Sequence, residues 1–230
     1  MDLFYDRDIA ETLTLNAQES RHCVSVLRHK AGDIIKVSDG HGTFFECRIT
    51  EAHPKHCRVE IVSKQTHVKR GFNLHIAIAP TKNIDRTEWF TEKVTEIGVE
   101  SVTLLRCEHS ERKKVRLDRL EKILVAASKQ SLKAFKPSLT DLTKFKEFID
   151  NNRSQGYIAH CNSSALPHFK SVYPRGEDAT ILIGPEGDFS PEEVEFAVKN
   201  GFKEVSLGNS RLRTETAGVI ACAMFNLIND

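Results

Sequence analysis

IGPEGDFS, at residues 183–190, and LGNSRLRTETA, at residues 207–217, are the stretches that decide the fold of this 230-residue chain. Each follows a short apolar segment that predicts a strand, and each precedes a segment that predicts a helix. Ser190 as cap, Pro191 as first residue and Gly201 as terminator predict the helix after the first stretch. Ligands of open α/β sheets bind beyond the carboxyl ends of the strands, so both stretches are candidate binding loops.

Each loop also has a simpler interpretation. The glycines of the first loop let the backbone approach a ligand, but a plain connecting turn has the same composition. In the second loop, Arg211 and Arg213 stand beside a helix N-terminus, with Thr214 as the predicted cap, and such a terminus attracts anions. Either arginine could instead be solvated or paired with Glu215. Because the loops end successive strands, we expect them to meet, which favours a shared binding site.

Outward from these loops, the rest of the second domain, residues 72–230, alternates predicted strands with predicted helices. Such alternation is typical of an α/β fold with a mostly parallel sheet and helices on both faces. The predicted strands are 74–79, 102–105, 157–159, 179–183 and 205–207, and the predicted helices are 84–97, 117–132, 191–200 and 214–228.

A small β-rich domain is predicted for residues 1–71, before a hinge near Lys69-Arg70-Gly71. A helix is expected over 16–29, with Asn16 as cap and Glu19 three residues later as in a capping box. Apolar and alternating segments predict strands over 34–37, 43–49 and 57–62, with a turn at 39–42.

Composition limits the partners and the compartment. The net charge is only +1, so any nucleic-acid surface must be a local patch. The acidic start lacks an apolar run, and no stretch approaches the ~20 apolar residues that span a bilayer, so we expect a cytoplasmic protein with no membrane segment. Six cysteines include no C-x-x-C pair and are expected to be reduced. His53, His56 and Cys57 lack a fourth ligand, so no metal is expected.

The two loops, taken with three further stretches, resemble the ribosomal RNA small subunit methyltransferase E family, which is of the SPOUT class. The further stretches are LRHKAGDIIKVSDG (27–40), KNIDRTEWFTEKVTEIGVE (82–100) and KQS (129–131). The ordered set spans nearly the whole chain. Two positions depart from the family pattern: Asp188 stands where a second glycine is usual, and KQS stands where Glu-Gln-Ser is commoner.

This resemblance implies a PUA-like RNA-binding domain over 1–71 and a SPOUT methyltransferase domain with a deep trefoil knot over 72–230. It implies a homodimer that uses S-adenosylmethionine to methylate N3 of a uridine in small-subunit ribosomal RNA, as part of ribosome biogenesis. Two alternatives stay open. One is a SPOUT enzyme with another RNA target, such as a ribose 2′-hydroxyl or a transfer RNA base, and the other is a catalytically silent RNA-binding assembly factor.

Candidate site residues follow from the motifs and from the chemistry of N3 methylation, which must remove a proton from the uracil. Arg213 is the candidate for stabilising negative charge on the uracil or holding its phosphate, and Glu215 for orienting Arg213 or taking the proton. Glu186 is also a weaker catalytic candidate that could merely brace its loop. The candidate cofactor-binding residues are Ile183, Gly184, Glu186, Gly187, Leu207, Gly208, Leu212, Thr216 and Ala217.

RNA phosphate is expected to contact a basic patch on the first predicted helix. Its residues are Arg21, His22, Arg28 and Lys30, with Arg21 and Arg28 seven residues apart and therefore on one helical face. An ordinary solvated helix face is the alternative. The basic run RKKVR at 112–116 has the same two interpretations.

Overall fold

Two structural units make up the computed structural model, which describes residues 2–161 and 165–230. The first comprises the residues up to Lys69 together with Val125–Lys136, and the second comprises Arg70–Leu124 and Pro137–Asp230. The division predicted after residue 71 assigns the segment 125–136 to the second domain, whereas the structure packs it with the first unit. Local sequence patterns do not reveal such a return of the chain.

The first unit is built on a four-stranded sheet in the order β1-β2-β3-β4. Strand β1 pairs with β2 in parallel, and the other neighbours pair antiparallel. Alternation places Ile35 and Val37 in the core while Ile34 and Lys36 are partly exposed, as expected for a half-buried strand. The elements are β1 (Leu3–Tyr5), α1 (Ile9–Thr12), α2 (Ala17–Arg21), β2 (Ile34–Ser38), β3 (Thr43–Glu51) and β4 (Arg58–Thr66).

Helix α2 departs from its prediction at both ends. The Asn16 side chain accepts from the amide of Glu19, as predicted, but the Glu19 carboxylate does not complete a capping box. Both of its oxygens instead accept from Lys129 Nζ, at 2.7 and 2.8 Å. The α-helix ends at Arg21 and passes into a π-helical turn, His22–Val26, so the single helix predicted over 16–29 is wrong in its second half.

A six-stranded parallel sheet, in the order β10-β8-β9-β5-β6-β7, forms the centre of the second unit. The α/β prediction is therefore confirmed. The strands are β5 (Leu74–Ile78), β6 (Ser101–Arg106), β7 (Ser138–Lys144), β8 (Gly156–Ala159), β9 (Ala179–Ile183) and β10 (Lys203–Val205). The helices are α3 (Ile84–Ile97), α4 (Leu117–Gln130, which crosses the unit boundary), α5 (Phe145–Asn151), α6 (Phe169–Val172), α7 (Pro191–Lys199) and α8 (Thr214–Asn229).

Both faces of this sheet are covered by helices. Ile76 and Ile78 of β5 lie in one core cluster, with Phe90 of α3 and Phe225 of α8. Ala77, between them, lies in a second cluster with residues of α5 and α7. Strands buried on both faces explain the nearly continuous apolar runs in the sequence. Within residues 2–161 and 165–230, no helix is both long and apolar enough to span a bilayer.

Candidate functional site

A cavity of about 320 Å³ opens at the carboxyl edge of the parallel sheet, beyond β8, β9 and β10. The two loops predicted to meet do meet there, but for a different reason from the one expected. Strands β9 and β10 are not neighbours, because β8 lies between them. Three segments therefore contribute, and the lining residues are 159–161, 183–186, 188, 206–208, 210–214 and 217.

Most of the predicted cofactor-binding residues line this cavity: Ile183, Gly184, Glu186, Leu207, Gly208, Leu212 and Ala217. Gly187 and Thr216 are not among the lining residues. Gly187 instead packs against a histidine, since a Cβ at Gly187 would lie 3.1 Å from Cβ of His109. Gly208 has a φ of 134°, and a Cβ there would meet no atom within 4 Å, so its backbone borders open space.

A buried hydrogen bond joins the two predicted loops. Thr214 is the first residue of α8, and its hydroxyl donates to the carbonyl of Gly184 at 3.0 Å. The N-cap position belongs to Arg213, whose side chain makes no capping hydrogen bond. The prediction that Thr214 caps the helix is therefore wrong. Its hydroxyl instead fixes the distance between the β9 loop and the start of α8.

The two predicted catalytic residues have different surroundings. Arg213 is exposed and lines the cavity. Glu215 is 7% exposed, is not among the lining residues, and forms its ion pair with Arg86, at 3.9 Å between Nε and Oε1. Among the described residues, the Glu215 Oε2 atom has no hydrogen-bond partner. Pairing of Glu215 with an arginine of the second loop was one of the alternatives, and among the described residues its ion pair is formed with α3 instead.

Glu186 braces its loop, as one of its two interpretations held. Its carboxylate accepts from the backbone amide of Lys82 at 2.8 Å, which ties the β9 loop to the segment before α3. Arg112 of the basic run donates to the carbonyls of Thr81 and Lys82 and so supports the same segment. The side chain of Lys82 pairs with Glu111, and this hydrogen bond raises the pKa of the Lys82 ammonium.

The contribution of Ala159, His160 and Cys161 to the cavity was missed from sequence, although strand 157–159 was predicted. The order of elements along the chain does not tell that β8 inserts between β9 and β10. The side chain of His160 is 1% exposed, and its Nε2 lies 3.1 Å from Glu204 Oε1 on β10. The signal in the sequence is a polar residue, His160, directly after a short apolar strand, and this signal is weak.

Asp188 is a further lining residue that the motif prediction left without a role. Its backbone φ is 63°, in the left-handed region that favours glycine. The carbonyl of Asp188 accepts from Nδ1 of His109 at 3.0 Å. This hydrogen bond raises the pKa of the exposed His109 imidazole, and a second one to the Gly187 carbonyl acts in the same direction.

The predicted RNA-binding residues lie in the first unit and are only partly arranged as expected. Arg21, Arg28 and Lys30 are exposed, whereas the His22 ring packs 5.9 Å from that of Phe4. Arg28 lies beyond the helical segment and has a φ of 61°. The argument that Arg21 and Arg28 share one helical face is therefore wrong, because the helical segment ends at Val26, before Arg28.

The segment considered for metal binding forms other contacts. The rings of His53 and His56 stack at 3.7 Å between centroids, and Cys57 is buried. A hydrogen bond between the Cys57 and Cys23 thiols raises the pKa of Cys23. In the part of the chain that the structure describes, no group of three or more His, Cys, Asp or Glu residues could hold a metal ion.

Comparisons with known proteins agree with this geometry. Residues 69–226 match the sequence model of the RNA methyltransferase domain, and residues 15–62 match that of the RNA methyltransferase PUA domain. A protein of Synechocystis sp. named ribosomal RNA small subunit methyltransferase E is 26% identical over 96% of this chain and 74% of its own length. The resemblance predicted from the motifs is therefore confirmed.

Two solved structures have the same fold over their whole length. A probable rRNA-methyltransferase from Porphyromonas gingivalis superposes with a TM-score of 0.93 at 42% identity, over 100% of this chain and 98% of the other. A putative methyltransferase from Legionella pneumophila, solved with bound cofactor SAM, has a TM-score of 0.87 at 26% identity, over 99% and 97%.

Proposed function

The chain belongs to the RNA methyltransferase family, and from this premise we propose that it transfers a methyl group from S-adenosylmethionine to N3 of a uridine in small-subunit ribosomal RNA. One observation carries the proposal. A cavity at the carboxyl edge of the sheet brings the two family loops together and carries an exposed arginine, Arg213, on its wall.

The cavity suits a cofactor with an adenine ring and a methionine arm. Its volume lies at the lower end of the range for small-molecule sites, about 300–1,000 Å³. Ile183, Leu207 and Leu212 supply apolar surface, and Gly184 and Gly208 present backbone without a side chain. We propose that these residues, together with Ala217 on α8, hold the cofactor. When bound, S-adenosylmethionine supplies an electrophilic methyl group.

The remaining chemistry concerns the N3 proton of uracil, which must leave before the nitrogen can attack. A cation beside the base stabilises the negative charge that this loss creates. Arg213 is the candidate because it lines the cavity at the N-terminus of α8, where the helix adds a positive partial charge. Glu215 is not among the lining residues, so both of its proposed roles, orienting Arg213 or taking the proton, stay open; its Oε2 atom has no hydrogen-bond partner among the described residues.

The reaction is tested with labelled S-adenosylmethionine and small ribosomal subunits that lack their native modifications, with the product nucleoside identified by mass spectrometry. A single 3-methyluridine is expected. A different methylated nucleoside would overturn the target, and cofactor binding without transfer to any RNA would favour a silent assembly factor.

Arg213→Ala is expected to lower kcat at saturating RNA by on the order of 10²-fold, as for loss of one charge-stabilising donor. Arg153→Ala is the matched control, because Arg153 is also exposed but precedes β8, at the opposite edge of the sheet. Full turnover by the Arg213 variant would refute its catalytic role.

Placement of the cofactor is tested by isothermal titration of Gly208→Trp. The indole is expected to enter the cavity and abolish measurable binding. Gly176→Trp is the control, because Gly176 also has a positive φ, 85°, and open space at its Cβ, but is not among the lining residues. Unchanged affinity in the Gly208 variant would refute the proposed position of the cofactor in this cavity.

We further propose that the first unit binds RNA phosphate through Arg21, Arg28 and Lys30, since residues 15–62 match the PUA domain of RNA methyltransferases. Removing one phosphate contact should reduce the slope of log K against log salt by about 0.7–0.9. An unchanged slope in Arg21→Ala would exclude that contact.

A homodimer, a trefoil knot in the second unit and a cytoplasmic location complete the proposal, and sedimentation at several protein concentrations tests the dimer.

A further inference from the structure

Asp188 holds an unfavourable backbone conformation that its own carboxylate stabilises. A φ of 63° disfavours most side chains, although aspartate tolerates it better than most. Oδ1 accepts from the next amide in the chain, that of Phe189, at 2.8 Å. The turn after β9 is therefore kept in shape by a side chain at a position where the family pattern has glycine.

The second carboxylate oxygen bonds outside the turn. Asp188 Oδ2 accepts from the backbone amide of Cys161 at 2.9 Å. The paired residues of β8 and β9 end at Ala159 and Ile183, so this hydrogen bond joins the two segments beyond the end of their ladder. Asp188 and Cys161 both line the cavity. The carboxylate thus connects two of the three segments that form its wall.

The turn also forms contacts with the segment that follows β6. His109, which follows β6, donates from Nδ1 to the carbonyl of Asp188, and its Cβ lies against Gly187. With the peptide held on this side, the carboxylate has a defined direction toward Cys161. A carboxylate that accepts two backbone amides forms charge-assisted hydrogen bonds, which are stronger than those between neutral groups.

We propose that Asp188 is a positioning residue for the cofactor, because its carboxylate sets the 159–161 wall of the cavity before the cofactor binds. The inference rests on the proposed placement of S-adenosylmethionine in this cavity. Asp188 acts through the Cys161 backbone and does not contact the reacting atoms. Its loss should therefore weaken cofactor binding and leave the chemical step intact.

Two variants separate the carboxylate from the backbone conformation. Asp188→Gly removes both side-chain hydrogen bonds but accepts a positive φ without strain, so the fold is expected to persist. Asp188→Asn keeps an oxygen for only one of the two amides. The control is Asp178→Gly, because Asp178 Oδ1 accepts from the Asn73 amide at 2.7 Å just before β9, at the opposite edge of the sheet.

Isothermal titration with S-adenosylmethionine is expected to show about tenfold weaker binding by Asp188→Gly, which corresponds to about 1.4 kcal/mol, and an intermediate loss for Asp188→Asn. The KM for the cofactor should rise while kcat at saturating cofactor and RNA stays unchanged. Hydrogen exchange measured by mass spectrometry should be faster in the peptide that contains Cys161. Asp178→Gly should bind the cofactor as the wild type does.

Affinity within twofold of wild type in Asp188→Gly would overturn the positioning role, as would an equal loss in Asp178→Gly or unchanged exchange at Cys161. Failure of the proposed function would look different. A product other than 3-methyluridine would change the proposed target and leave the affinity comparison intact. Normal affinity in Gly208→Trp would show that the cofactor binds elsewhere, and Asp188→Gly would still release the Cys161 amide.

Discussion

Replacing Thr214 by valine tests whether one hydroxyl holds the cavity together. Valine has nearly the same shape, so the change removes the hydrogen bond to the Gly184 carbonyl and little else. Both residues are buried, so the carbonyl loses its protein partner, and only water from the adjacent cavity can replace it. Leaving a buried acceptor unsatisfied costs about 1–3 kcal/mol, and because Gly184 borders a cavity we expect the lower part of this range.

Urea unfolding and titration with S-adenosylmethionine measure the two consequences. Thr214→Val should lose about 1–2 kcal/mol of unfolding free energy, and its affinity should fall about fivefold or more as the β9 loop separates from α8. Thr214→Ser keeps the hydroxyl and should restore the affinity. Thr91→Val serves as control, since the buried Thr91 hydroxyl donates within α3 to the Thr87 carbonyl. Wild-type stability and affinity in Thr214→Val would refute the reasoning.

Three further predictions concern stability, measured by denaturant unfolding. Burial lowers the pKa of His75 from 6.5 to about 4, so between these pH values its imidazole is protonated in the unfolded chain and neutral in the folded one. About 3 kcal/mol of unfolding free energy should therefore be lost as the pH falls across that window. His75→Gln should flatten this loss. Lys129→Met leaves the Glu19 carboxylate buried without its cation and should lower the unfolding free energy by about 3 kcal/mol. A loss below about 1 kcal/mol would contradict a tight ion pair. Gly218→Ala places Cβ 2.5 Å from the Phe90 ring and should cost about 1–3 kcal/mol despite better helix propensity, so a more stable variant would contradict the packing.

Local signals predicted most elements of the second unit. Helix α3 begins and ends where predicted, because the Asn83 side chain caps its first turn and Gly98 ends it. Strand β7 was missed because its sequence, SLTDLTK, is largely polar, as an edge strand in partial contact with solvent can be. Strand β1 has three residues, too few to show a period.

The parts of the candidate site that lie in continuous motifs were predicted from the sequence, and the parts that depend on contacts between distant segments were missed. The glycine-containing loops at 183–190 and 207–217 line the cavity as expected. The partner of Thr214, thirty residues away, and the insertion of β8 between β9 and β10 depend on how the chain crosses the sheet. Strand order is a property of tertiary packing, and short-range periodicity carries no information about it.

The return of Val125–Lys136 to the first unit has a consequence for synthesis of the chain. Ribosomes release a polypeptide from its N-terminus at about 5–20 residues per second, and domains with continuous sequence fold as they emerge. Here the amide of Gly42 bonds to the carbonyl of Ala134, and Lys129 neutralises Glu19, so the first unit lacks these contacts until the later segment has been translated. The nascent N-terminal sheet is therefore incomplete for several seconds, while about a third of the second unit, Arg70–Leu124, is translated before Val125–Lys136.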